Sequence, residues 1–251
     1  MKKTYDLIYS IGASCACAGY MKKHFLRTFS GPLDWLTNTT LETNTNFIIN
    51  DFNDFLNIED FEYIGKNPKP EQNCDEYKNT RTGLNFYHDF KSDIPFEESF
   101  RFVQEKYKRR ISRFYEKIKS NERVLLIWFN YTGNTPAETI IEQCNAVMDK
   151  FGKKLDFLII EHDETKTSGK IENKQLSENI THVLLYIQKN DENGSPTTYG
   201  DIKNCNRVFK NYQLKMSCFK RFYLHTKKYA IKIFCAFVPS KELRRKLKKD
   251  L

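Results

Sequence analysis

The chain has 251 residues, 39% of them hydrophobic and 29% charged, and a formal net charge of +9, a size that buries a large core without cross-links. Its seven cysteines, odd in number and lacking a CxxC pair or zinc-finger spacing, argue against a disulfide framework or zinc site and predict reduced thiols in a cytosol. No run approaches the ~20 apolar residues of a membrane span, and Asp6 interrupts the first apolar stretch too early for a secretion signal.

In chain order, "YDLIYSIG" (5–12) reads as a buried strand stopped by Gly12. "SCACAGYMKKHF" then starts a helix with Ser14 as its N-cap. The segment from "NFIINDFNDFLNI" to about Thr80 mixes aromatics with Asn and Asp, and "GKNPKPEQNCDEY" marks a long excursion within it. "LNFYHDF" (84–90) is a short strand-like aromatic run. The 3-to-4 spacing of Phe102, Tyr107, Ile111, Phe114 and Ile118 predicts a helix over 100–120.

"RVLLIWFN" (123–130) predicts a strand, and "TPAETIIEQCNAVMDKFG" (135–152) a helix with Thr135 as N-cap, Pro136 at its first position and Gly152 as its stop. "LDFLIIEH" (155–162) and "THVLLYIQK" (181–189) predict two more strands. Strands this uniformly apolar are covered on both faces, which belongs to parallel sheets with flanking helices. The expected fold is α/β, a three-layer sandwich with a mostly parallel central sheet. One domain is expected over 1–216, with a separate tail over 217–251.

In such a sheet, ligands bind beyond the carboxyl ends of the strands. Cys15 falls there, at a helix N-terminus that lowers a thiol's pKa and offers N–H donors to an oxyanion. The plain alternative is a small buried residue, since cysteine is among the most buried types. Cys17 faces another side of the helix. A nucleophile needs a base, and His88 in "FYHDF" and His162, ending a strand at the same sheet edge, both qualify; His182 and His225 read as structural. "YTGNTPAET" lacks the lysine of a phosphate loop, and "EHDET" supplies too few ligands for a metal site, so no cofactor is assigned.

Four short pieces in order, "SIGASC" (10–15), "SGPLDWL" (30–36), "FYHDF" (86–90) and the basic helix "YKRRISRFYEKIKSNERVLLIW", resemble a bacterial family described as papain-like cysteine peptidases and associated with surface-polysaccharide assembly. Leu33 departs from the phenylalanine usual before that family's Asp-Trp pair. The resemblance implies Cys15 as nucleophile and His88 as base. A third group orients the imidazole; Asp34 is expected there rather than Asp89, because neighbours in a strand point to opposite faces. Asp34 also reads plainly as a turn-forming acid after Pro32. The implied chemistry is acyl transfer from an ester, thioester or amide to water or to a sugar hydroxyl, with a non-catalytic scaffold of the same assembly as the alternative.

The chain's last segment holds its net charge. Residues 217–251 contain eleven Lys/Arg and two acids, whereas the remainder has thirty of each. A nucleic-acid-binding body is therefore not expected. "FYLHTKKYAIKIFCAFVPSKELRRKLKKDL" (222–251) is similar in composition to the tails of bacterial capsule and lipopolysaccharide assembly enzymes. Physically it reads as an amphipathic segment for an anionic membrane surface. The protein is expected in the cytoplasm, peripheral on the inner membrane; a tail packed on the domain is the other reading.

Overall fold

The computed structural model describes residues 2–67, 72–188, 197–240 and 243. The elements are β1 (Lys3–Tyr5), β2 (Leu7–Ser10), α1 (Cys15–Lys23), β3 (Leu36–Thr37), α2 (Leu41–Ile49), β4 (Phe61–Lys66), β5 (Cys74–Asn79) and β6 (Asn85–Lys91) in the first part. There follow α3 (Phe96–Ser120), β7 (Val124–Phe129), α4 (Ala137–Phe151), β8 (Asp156–Asp163), β9 (Glu172–Ser177), β10 (Ile180–Tyr186), α5 (Ile202–Phe209), β11 (Tyr212–Leu214) and α6 (Cys218–Phe237). The basic end expected after Pro239 lies, apart from Leu243, outside the described residues.

The central sheet runs β2-β7-β8-β10-β9, with the first four strands parallel and β9 returning antiparallel from a hairpin with β10. Its apolar strands are buried on both sides. Val124, Leu126, Trp128, Phe157 and Ile159 pack with Phe114 and Ile118 of α3 and with Ile140, Cys144 and Val147 of α4. The alternate residues Leu125, Ile127, Phe129, Leu158 and Ile160 pack with Ala16, Cys17 and Tyr20 of α1 and with Cys205, Val208 and Phe209 of α5. Each fully buried large apolar side chain contributes about 1.5–3 kcal/mol.

The α/β class holds, but the sheets taken together are mixed parallel and antiparallel. A second, four-stranded antiparallel sheet, β3-β6-β5-β4, is built from the excursion over 36–91. Helix α3 ties the two sheets together. Its Phe100 and Tyr107 meet Phe61, Phe86 and Phe90 of the second sheet, while Phe114 meets Tyr9 of β2 and Phe151 of α4.

Three local readings also change. Phe102 is 62% exposed, and the core stripe of α3 is Phe100, Val103, Tyr107, Phe114 and Ile118. Thr135 does not cap α4, which starts after Pro136 without a side-chain cap; its amide and hydroxyl donate instead to the buried carboxylate of Glu161, at 2.7 and 2.6 Å. The first expected strand splits at Asp6, whose carboxylate accepts from the Arg123 amide at 3.0 Å. Beyond Asp6, β2 joins the central sheet; before it, β1 pairs with β11 in a separate two-stranded parallel ladder.

Candidate functional site

Cys15 is the first residue of α1. Ser14 caps the helix in an extended conformation, and its hydroxyl accepts from the Ala16 amide at 3.3 Å. The turn leading to it is fixed from the sheet: the Ile11 and Ala13 amides donate to the Ile127 and Phe129 carbonyls, both at 2.8 Å, and the Phe129 amide donates to the Gly12 carbonyl at 2.9 Å. From the other side the buried Asn44 side chain donates to the Ile11 carbonyl at 2.7 Å and accepts from the Thr39 hydroxyl at 2.6 Å.

Gly12 is required here. Its φ is +117°, and a Cβ at this position would lie 2.1 Å from the Asn44 amide nitrogen and 3.1 Å from the Trp128 ring, so the turn excludes any side chain. The outcome is a partly exposed thiol on a braced helix N-terminus at the carboxyl end of a parallel sheet. Cys17, Cys74, Cys144, Cys205 and Cys235 are buried. Burial pushes the Cys17 and Cys144 thiols far up, and Cys205 to about 12. Those three are poor nucleophiles for lack of thiolate.

Tyr199 stands beside this thiol. Its hydroxyl is pushed up first by burial and then by the negative charge Cys15 bears when ionised. A Cβ on Gly19, one turn along α1, would be 3.5 Å from its ring. Its carbonyl accepts from the Tyr20 hydroxyl at 2.7 Å.

His88 lies on β6, in the second sheet. The β5–β6 register runs from Asp75 opposite Phe90 to Tyr77 opposite Phe86, so three residues, 87–89, face the single Glu76. Strand β6 is therefore bulged over residues 87–89, a device that re-aims a side chain. The ring is half-buried, meets Trp35 edge-on at 5.9 Å, and pairs through Nδ1 with the side-chain oxygen of Gln72. Since that oxygen can only accept, Nδ1 carries the proton and Nε2 has the lone pair.

Asp34, expected to orient the histidine, is held by Arg27 and the turn at Gly31. It is 2% exposed, and its Oδ2 accepts from Arg27 Nη2 at 2.7 Å, Arg27 Nε at 3.1 Å and the Gly31 amide at 2.9 Å. Burial pushes the carboxyl up while Arg27 and the Gly31 amide pull it back. A buried acid beside a bidentate guanidinium satisfies that cation first. The pair braces the site's wall, because Arg27 also lies 5.3 Å from the centre of the Trp35 ring, the same ring that meets His88. Arg27 and Asp34 also act electrostatically on the Cys17 thiol of α1. Asp89 points to α3, where it meets Lys106 and accepts from the Tyr107 hydroxyl at 3.0 Å.

The competing histidine is a packing residue. His162 is fully buried, its Nδ1 lies 2.7 Å from the Asn130 carbonyl and its Nε2 3.6 Å from the Cys205 sulfur. Burial lowers its pKa. A carbonyl accepts only, so Nδ1–H donates to it and Nε2 receives the Cys205 thiol proton. His182 is also buried, with Nε2 3.3 Å from Glu161. Burial opposes ionisation of Glu161, but its contacts with His182 and Thr135 outweigh it and hold the carboxyl below its usual range.

Among the described residues no group of three His, Cys, Asp or Glu could hold a metal. In the "EHDET" loop, Asp163 instead accepts from the Thr165 amide and hydroxyl at 2.8 and 2.7 Å. An open cleft of about 780 Å³ lies between the 51–57 loop and α3, lined by Asp54, Gln104 and Lys108 among others, and neither Cys15 nor His88 lines it.

Sequence reasoning missed Asn44, Gln72 and Tyr199. Each acts on a residue far along the chain, and no periodic pattern marks it.

Fold and site together define an α/β protein with a cysteine at a helix N-terminus and an amide-oriented histidine on an adjoining sheet. Residues 6–165 match the family model described as "Putative papain-like cysteine peptidase (DUF1796)", and the chain belongs to that family. An uncharacterized protein of Acanthamoeba polyphaga mimivirus is 23% identical over 205 residues, which cover 75% of this chain and 91% of that protein. This relative is viral, where the sequence resemblance implied a bacterial source. No solved structure matches the chain.

Proposed function

We propose that the protein is a cysteine hydrolase or acyltransferase with Cys15 as nucleophile and His88 as general base. The observation that supports this most is the placement of Cys15: a partly exposed thiol at the capped N-terminus of α1. Gln72 serves as a positioning residue, because its oxygen fixes the tautomer that keeps the lone pair on Nε2.

In the reaction, His88 Nε2 takes the Cys15 proton and the sulfur's electron pair forms a bond to the acyl carbon. The carbonyl π pair moves to oxygen, where N–H groups at the start of α1 stabilise the oxyanion. Collapse expels the leaving group, which takes the proton from the imidazolium, and leaves a thioester on Cys15. Water or a hydroxyl then attacks that carbon, giving its proton to His88, and the thiolate departs. Water as acceptor makes a hydrolase; a sugar hydroxyl makes a transferase. From the likeness of the 222–251 tail, surface-glycan intermediates are the substrate class to test first.

Limiting iodoacetamide near neutral pH, read by mass spectrometry, tests the assignment. Cys15 is expected to label first, and His88→Ala to slow its labelling and return its pH profile to that of an ordinary thiol. His162→Ala leaves Cys15 labelling unchanged. Labelling of Cys218 with Cys15 untouched, or a response to His162→Ala in place of His88→Ala, refutes it.

A further inference from the structure

Helix α6 has two apolar faces. Cys235 and Val238, near its end, are buried, and Leu224 and Ile231 on the same side are half-buried.

The outward stripe is larger. At about 100° per residue Phe219, Phe222, Tyr223, Tyr229, Ile233, Phe234 and Phe237 fall on one side of the helix, and all are exposed, Phe219 at 83% and Phe237 at 80%. An exposed apolar stripe of this extent is rare on a monomer in water and marks a contact surface. Positions 220, 221, 227, 228 and 232 of the same helix are Lys or Arg, and α6 contains no Asp or Glu.

We infer that α6 is an interfacial anchor that lies in the plane of an anionic phospholipid bilayer, with the Phe219–Phe237 stripe entering the acyl boundary. Charge complementarity selects this occupant: five cations and no anion on the helix match a surface of lipid phosphates. Tyr223 and Tyr229 on the stripe are of the type that places an apolar body below the boundary and a hydroxyl in the headgroups. The helix does not cross the bilayer, since no helix among the described residues is long and apolar enough to do so. The inference is independent of the chemistry at Cys15.

The test is co-sedimentation of the full chain with vesicles of phosphatidylcholine alone and of phosphatidylcholine mixed with phosphatidylglycerol. Binding to the mixed vesicles is expected to be at least about tenfold tighter, and to weaken as added salt shortens the Debye length below ~8 Å. The variant Phe222→Ser/Ile233→Ser/Phe237→Ser alters only exposed side chains. It is expected to lose at least about tenfold in affinity, roughly 1.4 kcal/mol, with an unchanged circular dichroism spectrum. Three results overturn the inference: no binding to mixed vesicles, equal binding to both kinds, or unchanged binding by the variant. A lipid-free dimer that the triple variant dissolves and that fails to bind vesicles assigns the stripe to a second copy of this chain instead.

Discussion

Every residue of β7 in the central sheet is buried, whereas in β6 of the second sheet Phe86 and Phe90 are buried and the residues between them half-buried. The first sheet is a frame. Its parallel strands grip the turn at Gly12 from one side while Asn44 grips it from the other, so the Cys15 thiol has a fixed position. Strand β6 is bulged where β7 pairs regularly with both its neighbours, and the His88 ring on it is half-exposed. The proposed nucleophile and the proposed base thus sit on differently built parts of the molecule, joined by α3 and by the Trp35–Arg27–Asp34 wall.

Substitutions separate the two roles, and stability is the sharpest measure. Trp128→Ala removes a buried ring that packs at Gly12 and whose indole N–H donates to Glu161 at 3.2 Å. It is expected to cost about 3–5 kcal/mol in urea unfolding; a cost below about 1 kcal/mol would show that the frame is not rigid there. Gly12→Ala forces a side chain into an occupied, positive-φ site and is expected to cost about 1–3 kcal/mol, with Cys15 alkylation slowed as the turn shifts.

A pH titration of stability probes the frame's buried histidine. The folded pKa of His162 is lowered from 6.5 by burial. The unfolded chain therefore binds a proton that the folded chain refuses, so stability falls as pH drops below about 6.5. The slope is at most about 1.4 kcal/mol per pH unit and levels off below the folded pKa. Glu161, with its carboxyl held low, adds a further loss as pH falls through its folded pKa. His162→Gln is expected to flatten the slope near pH 6; an unchanged slope would place the titration elsewhere.

On the second sheet, His88→Ala is expected to change stability by less than about 1 kcal/mol while altering Cys15 reactivity. A larger loss would make His88 part of the frame and erase the contrast. The smallest effect belongs to Lys154→Ala at the sheet's rim, whose 3.2 Å pair with Glu178 joins side chains 75% and 79% exposed. Less than about 0.5 kcal/mol is expected by chemical denaturation.

What the sequence revealed divides along the same line. The strands at 124–129 and 156–163 are legible because burial on both faces makes them continuous apolar runs. The second sheet was hidden because "CDEYKN" has neither a continuous nor an alternating apolar pattern, and the bulge at His88 breaks any period through β6. β9, "ENKQLS", is polar apart from Leu176 because it is an edge strand, where charge discourages pairing with another chain. The start of α1 at Cys15, with Ser14 as its cap, was legible from the strand–glycine–serine order alone. Gln72 was not, because a contact across sixteen residues and a bulge leaves no trace in local spacing. The pairing of Asp34 with Arg27 was not legible either, because the two stand seven residues apart with no periodic pattern joining them.

The ladder between β1 and β11 sets an order of events during synthesis. Lys3 pairs with Tyr212 and Tyr5 with Leu214, so β1, though it leads the described chain, has no partner until some two hundred further residues have followed it. At about 5–20 residues per second that wait is on the order of 10–40 s. β2 waits as well, for β7 beyond α3. For that interval the strand leading into Cys15 is an unpaired edge, open to a chaperone or to a neighbouring nascent chain. Helix α6 begins four residues after the closing strand, so the last pairing to form is also the one that secures the base of the helix.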